Sequence, residues 1–345
     1  MPPHAALYRK YRPQTFAEVR DQDHIIAVLQ GALKKKAIPH AILFSGGRGT
    51  GKTTLARIFA KALDTSAVDL YEIDAASNRG IDDIRELKEA VHTLPFESTY
   101  KVYIIDEVHM LTKEAFNALL KTLEEPPAHV IFILATTEEE KLLETILSRC
   151  QVFRFRSPSR AVLAEIVTDV AKKEGFTLTL DAADLIAIAA DGSFRDALGV
   201  TQKVLLASGD KVGSADEVAT IIGAPKNEIM LSLIKALHNS DTKAVLEAIA
   251  QAVALHVDMK LFTRLLLDNI RAVMLLRHQP DQAADLLVNF GEAAKEVLGD
   301  LAKQKTSPLN SQMLLKLIEA AQQVNYCSIP QLPLEIVLID LTTKK

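Results

Sequence analysis

The chain has 345 residues, 48% of them apolar and 24% charged, more than one ordinary core can use, so about two or three soluble globular domains are expected. A net charge of −4 excludes a global basic field for nucleic acid and leaves room only for a local basic groove. Two distant cysteines, Cys150 and Cys327, exclude a thiolate zinc site, and no run approaches the ~20 apolar residues that span a bilayer.

In chain order, the first strong signal is the apolar run Ala41–Phe44, read as a buried strand. It leads into Gly46-Gly47-Arg48-Gly49-Thr50-Gly51-Lys52-Thr53, and Thr54 to Leu63 follows with helical apolar spacing. Gly, four residues, Gly, Lys, Thr between strand and helix is a phosphate-loop pattern. Glycines let successive backbone N–H groups wrap one phosphate, and the helix aims its positive end at the same anion. Lys52 can reach the β- and γ-phosphates, Thr53 can serve Mg²⁺, and Thr54 completes the expected nucleotide contacts.

Four more apolar runs follow: Leu70–Ile73, Val102–Ile105, Val130–Leu134 and Val152–Phe155. Each reads as near-continuous, as in a strand covered on both faces. Amphipathic segments alternate with them, such as Lys113–Leu123, which Glu125-Pro126-Pro127 stops. The alternation predicts a doubly wound parallel α/β sheet. The third strand ends in Asp106-Glu107. A carboxylate at a buried strand tip beside a phosphate loop can hold Mg²⁺, the role of Asp106, and Glu107 can then take a proton from an attacking water. The fourth strand ends in Ala135-Thr136-Thr137, whose hydroxyls can bond that water or the γ-phosphate. Nothing fits the Asn-Lys-x-Asp pattern of guanine readers, which points to ATP.

After Ser157-Pro158 the strands disappear. Ser159 to about Gly223 reads as three or four helices with breaks at Gly175, Gly192 and Gly209–Gly213. Pro225 to the end is also helical in period, punctuated by Pro280, Pro308, Pro330 and Pro333, with a boundary near Ile222-Gly223-Ala224-Pro225.

These motifs, with Ser148-Arg149-Cys150 and Gly192-Ser193-Phe194-Arg195-Asp196-Ala197-Leu198, stand in the order found in AAA+ clamp-loader ATPases. Tyr8-Arg9-Lys10-Tyr11-Arg12-Pro13-Gln14-Thr15-Phe16, Asp106-Glu107-Val108-His109-Met110-Leu111, the stretch Phe116 to Pro127 and Ile329-Pro330-Gln331-Leu332-Pro333-Leu334-Glu335 narrow the resemblance to the bacterial DNA polymerase III gamma/tau family. The resemblance implies ATP and Mg²⁺ as ligands. Lys52 then contacts phosphate, Thr53 and Asp106 serve Mg²⁺, Glu107 activates water, and Thr137 is the sensor-1 residue with Thr136 its close competitor. Arg195 is sensor 2. Arg149 is the arginine finger, acting in trans on ATP in the adjacent subunit. Tyr8, Arg12 and Pro13 line the adenine end, and Arg79 and Thr112, at helix starts, are candidate DNA contacts. The implied partners are other clamp-loader subunits in a hetero-pentamer, a sliding clamp and primed DNA, with no membrane and polymerisation left to partner subunits. The implied architecture is an ATPase domain, 1–158, a helical lid, 159–223, and a helical collar, 224–345.

The departures matter. Family members carry a four-cysteine zinc module after the phosphate-loop helix. Here Leu63-Asp64-Thr65-Ser66-Ala67-Val68 runs almost directly into the next strand, so no zinc is expected. The sequence ends at the collar, where longer family forms continue into tails. Met1 to Arg12 lacks the apolar core of a signal peptide, and the cysteine usage suits a reducing cytosol, so the expected location is cytoplasmic. One rival is a DExH-type helicase, since Asp106-Glu107-Val108-His109 fits its box. The absence of a second α/β core after Pro225 counts against it and returns His109 to a structural or surface role. Another rival, a scaffold subunit that binds ATP without turnover, conflicts with the full set Lys52, Asp106, Glu107 and Arg149.

Overall fold

The computed structural model describes residues 6–77, 80–208, 212–280, 290–304 and 307–343. Two compact units result: Met1–Val162 with Gly192–Asp196, and Leu163–Asp191 with Ala197–Lys345.

In the first unit, β1 (Ala41–Ser45), β2 (Leu70–Asp74), β3 (Lys101–Asp106), β4 (Val130–Thr136) and β5 (Gln151–Arg154) form one parallel sheet in the order β2-β3-β4-β1-β5. Period-2 geometry sends successive side chains to opposite faces. Leu43, Tyr103, Ile105, Phe132 and Leu134 pack in one core with the helices Ile81–Val91, Lys113–Glu124 and Glu144–Leu147. Ile42, Phe44, Val102, Ile104, Ile131 and Ile133 pack in another with the helices Asp23–Lys35 and Lys52–Ala62. The sheet is therefore doubly wound, as the alternating pattern predicts. Two expectations about its strands are corrected. β2 is only partly buried and alternates, because it lies at the sheet edge. β5 begins at Gln151 and stops at Arg154, although Phe155 N still donates to Ser45 O at 2.7 Å.

The second unit is mostly helical. Arg160–Lys173, Leu180–Ala189, Phe194–Ala207 and Ala215–Ile222 are the helices of its first part, and the first and third of them cross the unit boundary. Strands do not vanish after Pro158, however. β6 (Thr177–Leu178) pairs in parallel with β7 (Val212–Gly213). Two residues per strand are too few for a period to register in sequence. The break read at Gly209 lies outside the described residues. Gly223, left-handed at φ 71°, ends the helix Ala215–Ile222, as a C-terminal glycine should. A larger helical core follows, built on Leu233, Ile249, Phe262, Leu266, Leu317 and Leu338. Pro333 sits in the first turn of Leu332–Thr343, where its missing N–H costs nothing. No helix among the described residues is long and apolar enough to cross a membrane.

Candidate nucleotide site

The site grows from the carboxyl ends of β1, β3 and β4, where an open α/β sheet binds ligands. Gly46 to Gly51 turns from β1 into the helix Lys52–Ala62, with Gly46, Gly49 and Gly51 at φ 145°, 72° and 104°. Only glycine adopts such angles without strain. Thr50 Oγ1 braces the loop by donating to Gly47 O at 2.9 Å, while Arg48 stays exposed at the loop and Thr54 is half-buried on the helix.

Lys52 is 6% exposed and donates to the carbonyls of Gly46 (2.7 Å) and Gly47 (2.8 Å). Burial holds its ammonium below the ordinary lysine pKa, against the attraction of Glu107 and Asp106. Thr53 Oγ1 donates to Asp106 Oδ2 at 2.7 Å. That pair offers two hard oxygens at one point, a donor set that would suit Mg²⁺. Glu107 has a left-handed backbone (φ 49°, ψ 46°), an uncommon conformation for a side-chain-bearing residue. Its Oε2 accepts from Thr137 N (3.1 Å) and Thr137 Oγ1 (2.9 Å). Thr136, the competitor, is fully buried and turns elsewhere. Its Oγ1 accepts from Glu138 N at 3.0 Å and lies 2.9 Å from His109 Nδ1.

The segment Gly192–Asp196 docks on the loop. Phe194 N donates to Gly49 O at 3.0 Å, and a Cβ on Gly49 would fall 2.0 Å from Ser193 Oγ and 3.3 Å from Arg195 Cβ. Arg195 thereby joins Lys52 and Arg12. Burial first, then the like charges of Arg57 and Arg195, holds the Arg12 guanidinium below its ordinary pKa. Cations gathered against their own repulsion make a cradle for an anion.

Arg149 lies apart from this cluster. Arg149 precedes β5, whose Gln151 pairs with Ile42, so the phosphate loop begins about 13 Å farther along β1 at ~3.3 Å per residue. Its guanidinium bonds Glu124 Oε1 (2.5 Å), Thr145 O (2.8 Å) and Ser148 Oγ (3.3 Å). Thr112 caps the helix Lys113–Glu124 by accepting from Ala115 N at 3.2 Å. Tyr8 lies in the short helix Leu7–Lys10 with Arg9 over its ring, Pro13 follows that helix, and Arg79 lies outside the described residues.

Two residues to which sequence reading gave no part in the site adjoin it. The His109 side chain is 5% exposed, with Nδ1 3.4 Å from Glu107 Oε2 and Nε2 3.3 Å from Glu138 Oε1. It adjoins the acid pair and is no surface histidine. The DExH-like spacing was the available signal. Ser193 is 4% exposed and accepts from Asp196 N at 3.1 Å, a helix cap whose serine spacing was visible in the motif.

Residues 64–159 match the family model for the DNA polymerase III delta subunit, and residues 214–345 match that for domain III of DNA polymerase III subunits gamma and tau. DNA polymerase III subunit tau of Bacillus subtilis is 37% identical over 97% of this chain and 63% of its own length. The gamma/tau subunit of Mycobacterium tuberculosis H37Rv is 34% identical over 96% and 61%, and tau of Escherichia coli K12 is 41% identical over 72% and 42%. The chain belongs to the DNA polymerase III gamma/tau family. It spans less than two thirds of the length of these gamma/tau relatives. The Thermotoga maritima RuvB Holliday junction branch migration motor superposes with a TM-score of 0.53 at 21% identity, over 72% of this chain and 86% of its own. That likeness shows the fold, a parallel sheet covered by helices, which this chain shares.

Proposed function

We propose that this chain is the ATP-hydrolysing subunit of a clamp loader, working in a multi-subunit ring that places a sliding clamp on primed DNA. One observation carries the reading. Lys52, Thr53, Asp106, Glu107, Thr137 and Arg195 gather around one glycine-rich loop, linked by short contacts among themselves and with that loop. Gly46 to Thr54 and Lys52 hold the phosphates, with Tyr8, Arg12 and Pro13 toward the base. Thr53 and Asp106 would hold Mg²⁺, which would supply positive charge to offset that developing on the phosphates. Glu107 takes a proton from the attacking water, and Thr137 fixes the carboxylate that does so. Arg195 contacts the γ-phosphate from the segment docked on Gly49. Arg149, remote from its own loop, serves ATP in a neighbouring subunit. A lid over 159–223 and a collar over 224–345 are part of this reading, supported by the left-handed stop at Gly223. DNA contact through Thr112 and Arg79 also belongs to it, at helix starts suited to phosphate.

The test separates binding from chemistry. In the assembled complex, Lys52→Ala should weaken ATP binding at least tenfold. Glu107→Gln should bind ATP within about threefold of wild type and lose hydrolysis by about 10²-fold or more, the usual scale for a catalytic base. Unchanged affinity in Lys52→Ala, or retained turnover in Glu107→Gln, contradicts the assignment.

A further inference from the structure

We propose that Glu124 is a positioning residue for Arg149, setting the guanidinium in the orientation it presents to the neighbouring subunit's nucleotide. The proposal rests on the reading that Arg149 acts in trans.

The first observation is the placement of Glu124. It ends the helix Lys113–Glu124, where the negative end of the helix dipole disfavours a carboxylate. Its Oε1 lies 2.5 Å from Arg149 Nη2, so the partner that offsets this cost is Arg149. The second observation is how the guanidinium is held. Nη1 donates to Thr145 O and Ser148 Oγ while Nη2 donates to Glu124. Acceptors at two corners of a planar fork fix its plane as well as its position.

The third observation is that these acceptors stand on anchored backbone. Leu119 and Leu123 of the first helix and Ile146 of Glu144–Leu147 are buried in one core cluster. The carboxylate and the Thr145 carbonyl are thus tied to the same packed face. As a stability device the pair is weak, because both side chains are well exposed, 32% for Arg149 and 48% for Glu124, and exposed pairs add little. As an orienting device it is effective. The long arginine side chain loses its rotamer freedom before the neighbour arrives, and the exposed part of the guanidinium remains available to phosphate oxygens.

Positioning by an acceptor and electrostatic sequestration make opposite predictions. Glu124→Ala, Glu124→Gln, Arg149→Ala and the double variant Glu124→Ala/Arg149→Ala are each assembled with the partner subunits. ATP turnover is then measured with sliding clamp and primed DNA. Positioning predicts that Glu124→Ala lowers kcat about five- to tenfold with the KM for ATP unchanged. Glu124→Gln, which keeps an acceptor oxygen at the same reach, retains at least half the wild-type kcat. The double variant is no slower than Arg149→Ala. If Glu124→Ala fails to assemble, Glu124→Asp replaces it, since its shorter arm withdraws the acceptor and should also lower kcat. Wild-type kcat in Glu124→Ala, with Arg149→Ala inactive, overturns the role of Glu124 alone. Faster turnover in both Glu124→Ala and Glu124→Gln overturns it in favour of sequestration. Full stimulated turnover in Arg149→Ala removes the trans reading and the proposal with it.

Discussion

Glycine does two different things within one loop. Gly51 (φ 104°) has open space where a Cβ would stand, so Gly51→Ala meets only backbone strain, of order 1–3 kcal/mol. Gly49 (φ 72°) faces Ser193 Oγ at 2.0 Å from the same imagined atom. Gly49→Ala must therefore also push away the segment carrying Arg195. Amide exchange at Phe194, which donates to Gly49 O, reads this directly. Protection should fall at least tenfold in Gly49→Ala and persist in Gly51→Ala, and equal protection in both would refute the docking argument. Cys150, beside Arg149, is a bystander, since burial pushes its thiol up to about 11 and leaves no thiolate near neutral pH. The residues of the loop and the acid pair were legible in sequence because backbone chemistry demands them at fixed spacing. The partners of His109 and Glu124 were not legible, because they lie 27 and 25 residues away in sequence and meet them only in the fold.

At the scale of elements, the connection into β2 shows how a polar group organises a loop. Asp69 is fully buried, just before β2, and accepts from the backbone N–H of Phe96 (2.7 Å), Glu97 (2.9 Å) and Ser98 (2.8 Å). Burial works against its ionisation, but the three backbone donors and the Ser98 side chain outweigh it and hold the carboxyl at about 2. The unfolded value is 3.8, so the ionised, bonded carboxylate stabilises the fold above pH about 4. That contribution fades as pH falls through the interval down to about 2. Asp69→Asn should melt below wild type at pH 7, and the gap should narrow steadily as pH drops from about 4 toward 2. A gap independent of pH would contradict the account. Strands β1, β3 and β4 were readable from their apolar runs because helices cover both faces. β2 and β5 were blurred by their edge positions, and β6 and β7 were too short to see.

At the scale of the molecule, the parallel sheet with its helical continuation followed from the alternation of runs and from family resemblance. The division into compact units did not, because Gly192–Asp196 leaves its sequence neighbours to join the sheet unit. That excursion puts Arg195 at the phosphate loop. The register of β5 on β1 leaves Arg149 remote from the same loop. Under the proposed function, one arginine near the phosphate loop and another away from it would suit turnover at a boundary shared with a neighbouring subunit. The most direct measurement is ATP binding and turnover by the Arg149→Ala chain assembled with its partner subunits, sliding clamp and primed DNA. The account predicts ATP affinity within about threefold of wild type and loss of stimulated hydrolysis by about 10³-fold, the scale of a phosphoryl-transfer arginine. Undiminished stimulated hydrolysis would contradict it.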